Sequence, residues 1–390
     1  MGLAFEFATA GRIVFGPGSR RQLGGLLAEF GPRVLVVGGA GRRHDDWLDP
    51  LLAEQGLVRA ADVAVRGEPT LELARAGAAT AREARCDVVL GLGGGSVIDA
   101  AKAIAALARQ PGDVLEYLEV IGAGRPLVAP PLPSVAVPTT AGTGAEVTKN
   151  AVLASPEHRV KVSLRNPALL PRAALVDPEL TLSLPRELTA ATGLDALSQL
   201  IEPFVSARRQ PLTDAFCREG LSRIAPALRT ACDDPTNLPA REGMSLASLC
   251  GGLALANAGL GAVHGFAGPL GGMFPAPHGA VCGILLPGVI EATIAAAGRA
   301  GDDATLARYA EVGRLLTGDA AAGPAAAAAW VRSLVADLAI PPLASYGVTT
   351  ADIPDVVAKA TVSSSMKGSP VAFPADVLAE ILAAALGPAG

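Results

Sequence analysis

The sequence predicts an α/β domain built on a parallel sheet, followed by an all-helical domain. Three observations lead there. Through the first 180 residues, short β-branched runs alternate with amphipathic segments, an order that yields parallel strands covered by helices on both faces. Glycine turns follow two of these strand signals, at Gly38-Gly39 and at Gly93-Gly94-Gly95. From about Arg186 onward, long Ala- and Leu-rich segments broken by Gly and Pro take over, and few runs read as strands.

Taken in order, residues 33–37 read as a buried strand, 47–55 as a helix, 61–65 as a second strand and 71–84 as an Ala- and Glu-rich helix. Residues 86–92 form the next strand, 97 to about 109 the next helix, and 134–137 a further strand that ends in a polar loop. The second half offers helices over 189–201, 211–228, 240–257, 280–294, 304–316 and 325–338. A boundary near 177–185 divides the chain into domains 1–180 and 181–390.

Composition excludes several function classes. The chain has 390 residues, enough for two ordinary cores, and half of them are hydrophobic against 18% charged, too apolar for disorder. A net charge of −5 without any Lys/Arg block argues against a nucleic-acid surface. The first residues lack a basic segment followed by an apolar one, and apolar stretches such as 320–330 fall short of the about 20 residues a bilayer span needs. The expectation is a cytoplasmic protein without a membrane or nucleic-acid partner. Five cysteines, widely spaced and without a CxxC, read as free thiols in the core. Histidine occurs only at 44, 158, 264 and 278, so any imidazole chemistry must come from those four.

Gly93-Gly94-Gly95-Ser96 lies between a strand and a helix, where small residues let an anion approach free N–H groups at the helix start. Ser96 with Asp99 also fits a capping box, which would make the pair merely the start of that helix. A second polar loop, Pro138 to Glu146, follows another strand; in a parallel sheet both loops leave the carboxyl ends of strands, where ligands bind. Local turn bonds of the threonines are the plainer account. In the helical half, Asp195 and Gln199 are four residues apart and share a helix face. His264 and His278 sit in separate segments, and an Asp with two His could converge on a divalent metal. Ordinary buried histidines are the alternative.

Several motifs together carry a resemblance: GGGSVIDAAK at 93–102, PTTAGTGAEVT at 138–148, VDPELTL at 176–182, ATGLDAL at 191–197 and HGFAGPLGGMFPAPHG at 264–279. The chain resembles the iron-containing (group III) alcohol dehydrogenase family, within the superfamily that includes dehydroquinate synthase. The match runs from about residue 10 to 290 and fades towards the C-terminus. The resemblance implies a dinucleotide-binding domain at 1–180, a helical metal and substrate domain at 181–390, and an active site in the cleft between them. It implies cofactor contacts from Gly39, Gly94, Gly95, Ser96 and Asp99, from Thr139, Thr140 and Thr143, and from Lys161. It implies metal ligation by Asp195, His264 and His278, which are also the catalytic candidates, with Gln199 at the fourth ligand position.

Departures from the family pattern matter. Gln199 stands where a histidine is usual, and a neutral amide is a weaker ligand, so metal affinity should drop or shift from Fe2+ towards Zn2+. Gly268 stands where members often have a second histidine. After the first strand, Gly38-Gly39-Ala40-Gly41-Arg42-Arg43 lacks the carboxylate that repels a 2′-phosphate, so either NAD or NADP is expected, with Arg42 or Arg43 able to pair with the phosphate. The reading is an NAD(P)-dependent oxidoreductase interconverting an alcohol and an aldehyde or ketone, assisted by a divalent metal. A metal-independent, maleylacetate-like oxo-acid reductase and a catalytically inactive nucleotide-binding protein stay open. A dehydroquinate-synthase-like lyase is disfavoured by the scarcity of Lys and Arg around Asp195 and His264. The family implies a homodimer or larger assembly. The segment 361–370 is a candidate border of the pocket.

Overall fold

The computed structural model describes residues 4–158 and 160–387. The chain folds into two compact units. One comprises Ala8–Thr140 and Gly144–Leu182; the other runs from Ser183 onward and includes Ala141–Thr143 and the segment that ends at Phe7.

The first unit contains β1 (Ile13–Phe15), α1 (Leu23–Ala28), β2 (Arg33–Gly39), α2 (Asp45–Glu54), β3 (Val58–Val65), α3 (Leu71–Glu83), β4 (Val88–Gly93), α4 (Gly95–Leu107), β5 (Ser134–Pro138), β6 (Asn150–Ser155), β7 (Val160–Arg165) and β8 (Ala173–Val176). Six strands form one sheet in the order β1-β8-β5-β4-β2-β3, and every pair is parallel. Alternation along β2 explains its two covered faces. Val34 and Val36 pack with Leu23, Leu27, Leu48 and Leu52, while Leu35 and Val37 pack with Val97 and Ile104. From β2 the chain steps outward to β3, then returns past β2 to β4. That reversal puts a topological switch point between the carboxyl ends of β2 and β4, where Gly39 and Gly94 lie.

Four strands escaped the sequence reading. β1 and β8 have three and four residues and gain their order by pairing with each other. β6 and β7 form an antiparallel hairpin, register Asn150↔Arg165 to Ser155↔Val160, whose alternating burial is spread over small and polar residues that give a weak strand signal.

Lys102 ties this hairpin region to α4. It is buried, ion-paired to Asp99 Oδ1 at 2.8 Å, and donates to Ala145 O and Thr148 Oγ1 at 3.0 Å and to Asn150 O. Glu146 is buried nearby, and burial pushes its carboxyl up to about 7 against the opposing pull of its own backbone N–H and of Lys102. The unfolded chain releases this proton near its ordinary value of 4.5, whereas the folded chain holds it to about 7. Stability contributed by the protonated form is therefore lost as pH rises through that window, by at most about 3 kcal/mol. Glu146→Gln keeps the shape of the protonated acid, so denaturant unfolding at pH 5 and pH 7.5 should show a smaller loss in the variant. Equal losses in both proteins would contradict this.

The second unit contains α5 (Arg186–Val205), α6 (Pro211–Asp233), α7 (Leu238–Ala258), α8 (Ala262–Met273), α9 (His278–Ala300), α10 (Asp303–Thr317), α11 (Ala325–Asp337), α12 (Ile353–Val362) and α13 (Ala375–Ala385). One continuous apolar core, including Leu194, Leu197, Phe204, Phe266, Leu285 and Val331, holds these helices together. α8 was not foreseen as a helix because glycine and proline fill it; packing of its buried Val263, Phe266 and Leu270 overrides that poor propensity. α9 corrects the expectation that no segment is long and apolar enough to cross a bilayer. It meets that test by length and composition, yet 61% of its most apolar window is buried inside the protein, against α5, α11 and α13 among others.

Candidate functional site

The first unit supplies an anion-binding architecture. α4 begins at Gly95 with Gly94 as its N-cap, no side chain caps it, and its first turn carries no acidic residue. This replaces the expected Ser96–Asp99 capping box. The Asp99 carboxylate instead accepts the Val152 N–H at 2.9 Å and pairs with Lys102, tying α4 to β6. Asp99 thus has a structural task, while Gly94, Gly95 and Ser96 form the turn. Gly93 pairs with Pro138 across β4 and β5, so the two loops leave neighbouring strand ends, and the Thr139 N–H donates to Gly93 O at 3.0 Å. A Cβ on Gly94 would stand 3.3 Å from Thr140 Cγ2. Thr143 belongs with the helical unit. Lys161, on β7, is ion-paired to Glu68 at 2.9 Å. Gly39 is exposed at the end of β2 with open space around its Cα, and Arg42 is held by Asp45 at 2.5 Å.

The second unit builds a buried polar cluster from three helices. α5 contributes Asp195, Gln199 and Glu202, spaced four and seven residues from Asp195 and so on one face. α8 contributes His264; α9 begins with His278 and carries Cys282 one turn later. Asp195 Oδ1 lies 3.2 Å from His264 Nε2 and 3.7 Å from His278 Nε2. Cys282 Sγ is 3.8 Å from each of those nitrogens. One donor atom from each of these four residues lies within 4.8 Å of the others. Close helix approach makes this possible, since a Cβ on Gly279 would fall 1.9 Å from Ala191 O on α5.

Glu202 orients the cluster. Its Oε2 accepts a hydrogen bond from His264 Nδ1 at 2.6 Å and its Oε1 accepts the Val263 N–H at 2.7 Å, which turns Nε2 towards Asp195. A carboxylate behind a ligating imidazole is the usual arrangement at metal centres. Burial alone would lower His264 and His278 and raise Asp195. The mutual field of acids, thiol and imidazoles outweighs it, holding both histidines above their ordinary values, His264 well above, and Asp195 below its own. Burial likewise would raise the Cys282 thiol, but the two imidazoles bring it below its ordinary value, whereas the other four cysteines are raised. The same donor atoms that hold protons in the absence of an ion converge closely enough to hold a metal, and the N, N, O donor set suits a divalent one.

Gln199 also joins the cluster. Its Nε2–H donates to Asp195 Oδ1 at 2.9 Å, so it meets the cluster through a donor, while its buried Oε1 has no partner. The expectation that Gln199 in place of a histidine weakens the site or shifts its metal preference is not supported, because four donor atoms converge without it. Glu202 and Cys282 were missed in the sequence. Their signals were helical spacing, seven residues after Asp195 and four after His278. Of the C-terminal segment, Met366 packs where a Gly265 Cβ would stand (2.8 Å), and Ser369 Oγ lies 3.5 Å from a Cβ position on Gly261, so it borders the start of α8. Gly268 faces open space.

Known proteins place this arrangement in context. Residues 10–178 match the family model described as iron-containing alcohol dehydrogenase, and residues 189–386 match that of the C-terminal region of the Fe-containing alcohol dehydrogenase family. The likeness thus continues well past the point where the motifs fade. A 1,3-propanediol dehydrogenase from Klebsiella pneumoniae is 37% identical over 90% of each chain. An NAD-dependent methanol dehydrogenase from Bacillus methanolicus is 32% identical, over 83% of this chain and 82% of its own. A crystal structure of a 1,3-propanediol oxidoreductase superposes with a TM-score of 0.90 at 32% identity, covering 98% of this chain and all of that one.

Proposed function

The chain belongs to the iron-containing alcohol dehydrogenase family, and on that footing we propose that it interconverts a small alcohol and its aldehyde or ketone with NAD(H), aided by a divalent ion. The observation that carries this is the convergence of Asp195, His264 and His278 from three helices into one buried cluster. These three would hold the ion, which supplies Lewis-acid polarisation of a substrate oxygen when bound. The nicotinamide supplies the hydride chemistry. The residues of the chain then bind and orient. Gly94, Gly95 and Ser96 offer N–H groups and the positive end of α4 to the pyrophosphate. Thr139 and Thr140 line the neighbouring strand end, and Gly39 leaves room beside β2 for the ribose. Glu202 fixes the orientation of the His264 ring, and Gln199 holds the Asp195 carboxylate in place. NAD(H) is favoured over NADP(H) by the likeness to an NAD-dependent relative, and the Asp45 carboxylate engages Arg42, one of the two arginines able to meet a 2′-phosphate.

Purified protein should oxidise NADH faster than NADPH when offered short aldehydes. Dialysis against a chelator should abolish turnover, and Zn2+ or Fe2+ should restore it. Full turnover after the ion has been removed, checked by elemental analysis, would overturn the metal-assisted reading. Nucleotide binding without turnover on aldehydes or oxo acids would overturn the enzymatic one.

A further inference from the structure

We propose that Cys282 is the fourth protein ligand of the divalent ion, giving an O, N, N, S set that selects zinc over iron. This rests on the metal reading above and goes beyond it, since Asp195, His264 and His278 would serve without any sulfur. Placement comes first. His278 and Cys282 are four residues apart on α9 and project from the same face, and Cys282 Sγ contacts the Nε2 atoms of both histidines. For His264 this is the free side of the ring, because Nδ1 is committed to Glu202.

Distances agree with a shared ion. Bonds of about 2.0–2.1 Å to nitrogen or oxygen and about 2.3 Å to sulfur make tetrahedral edges of roughly 3.4 Å between light donors and about 3.6 Å to sulfur. The cluster has oxygen–nitrogen separations of 3.2 and 3.7 Å and sulfur–nitrogen separations of 3.8 and 3.8 Å. Along these four of the six edges the donors need move by only a few tenths of an ångström, and the remaining two separations lie within 4.8 Å. Gln199 does not compete, since it turns an N–H to the same Asp195 oxygen. On binding, the Sγ–H proton leaves to solvent as the metal–sulfur bond forms. Thiolate is a soft donor, and the intrinsic order of affinities already places zinc above ferrous iron, so sulfur adds to that preference.

Cobalt(II) reports sulfur ligation directly. The full chain, stripped of metal and loaded with Co2+, should show a near-ultraviolet thiolate-to-cobalt charge-transfer band. Cys282→Ser should still take up one cobalt per chain but lose the band, and in competition dialysis its preference for zinc over iron should fall about tenfold. Stoichiometric cobalt without the band in the wild type, or an unchanged band and selectivity in C282S, would overturn the ligand role and leave Asp195, His264 and His278 standing. A wild type that takes up neither cobalt nor zinc would sink the metal reading itself. The wild-type spectrum decides the matter even where C282S fails to fold.

Discussion

Asp195→Asn should leave the protein without a divalent ion and lower kcat/KM about 10³-fold, while it unfolds at nearly the temperature of the metal-free wild type. Asp195 Oδ1 is the shared partner of both histidines and of Gln199, so a neutral amide there removes the anionic donor on which the cluster is centred. The size is unchanged, and the residue is buried at 2% exposure, so packing against α8 and α9 survives. Loss of the anion also removes one of the interactions that raise both imidazoles above their ordinary values. Elemental analysis of the variant should find little metal, and chelated wild type should match its residual rate. Stoichiometric metal in the variant would count against Asp195 as a ligand.

Gly279→Ala should destabilise the helical unit by about 3 kcal/mol and remove the ion as well. The new methyl would lie 1.9 Å from Ala191 O and 3.2 Å from Asp195 Cβ, and the first of these is backbone that cannot rotate away. α5 and α9 would have to part by about 1.5 Å to regain ordinary contact. That displacement separates Asp195 from His278 and Cys282, and an error of 1 Å in a site costs roughly 10²-fold in rate. For a unit of this size the melting temperature should drop by roughly 6–12 °C. Gly268→Ala makes a useful contrast, because a Cβ there meets nothing within 4 Å. It should stabilise by roughly 0.5–1 kcal/mol through helix propensity alone. A Gly279→Ala protein that melts like wild type and retains metal would show that the helices shift freely.

Much of this was written locally. Continuous apolar, valine-rich runs at 34–37 and 88–90, the glycine turns after them and the long apolar periodicity of 186–205 specify strands, turns and helix without outside help. The family motifs, too, are contiguous stretches, so Asp195, His264 and His278 could be singled out together. What the sequence could not settle is anything whose energy comes from partners far along the chain. β1 and β8 are ordered by each other across some 160 residues, and α8 is helical in spite of its glycines because its apolar side is covered. Ser96 and Asp99 match a capping pattern, yet Asp99 spends its carboxylate on Val152 and Lys102.

The sequence by itself determined the order of elements and the residue types able to bind a dinucleotide and a metal, because both follow from neighbours along the chain. The tertiary structure alone decided that Glu202 backs His264, that the Gln199 amide hydrogen-bonds Asp195, and that one of five ordinary-looking cysteines stands beside two imidazoles. Hydrogen bonds and ligand sets act over about 3–4 Å, and only the packing of α5, α8 and α9 brings residues 195, 264 and 282 within that reach.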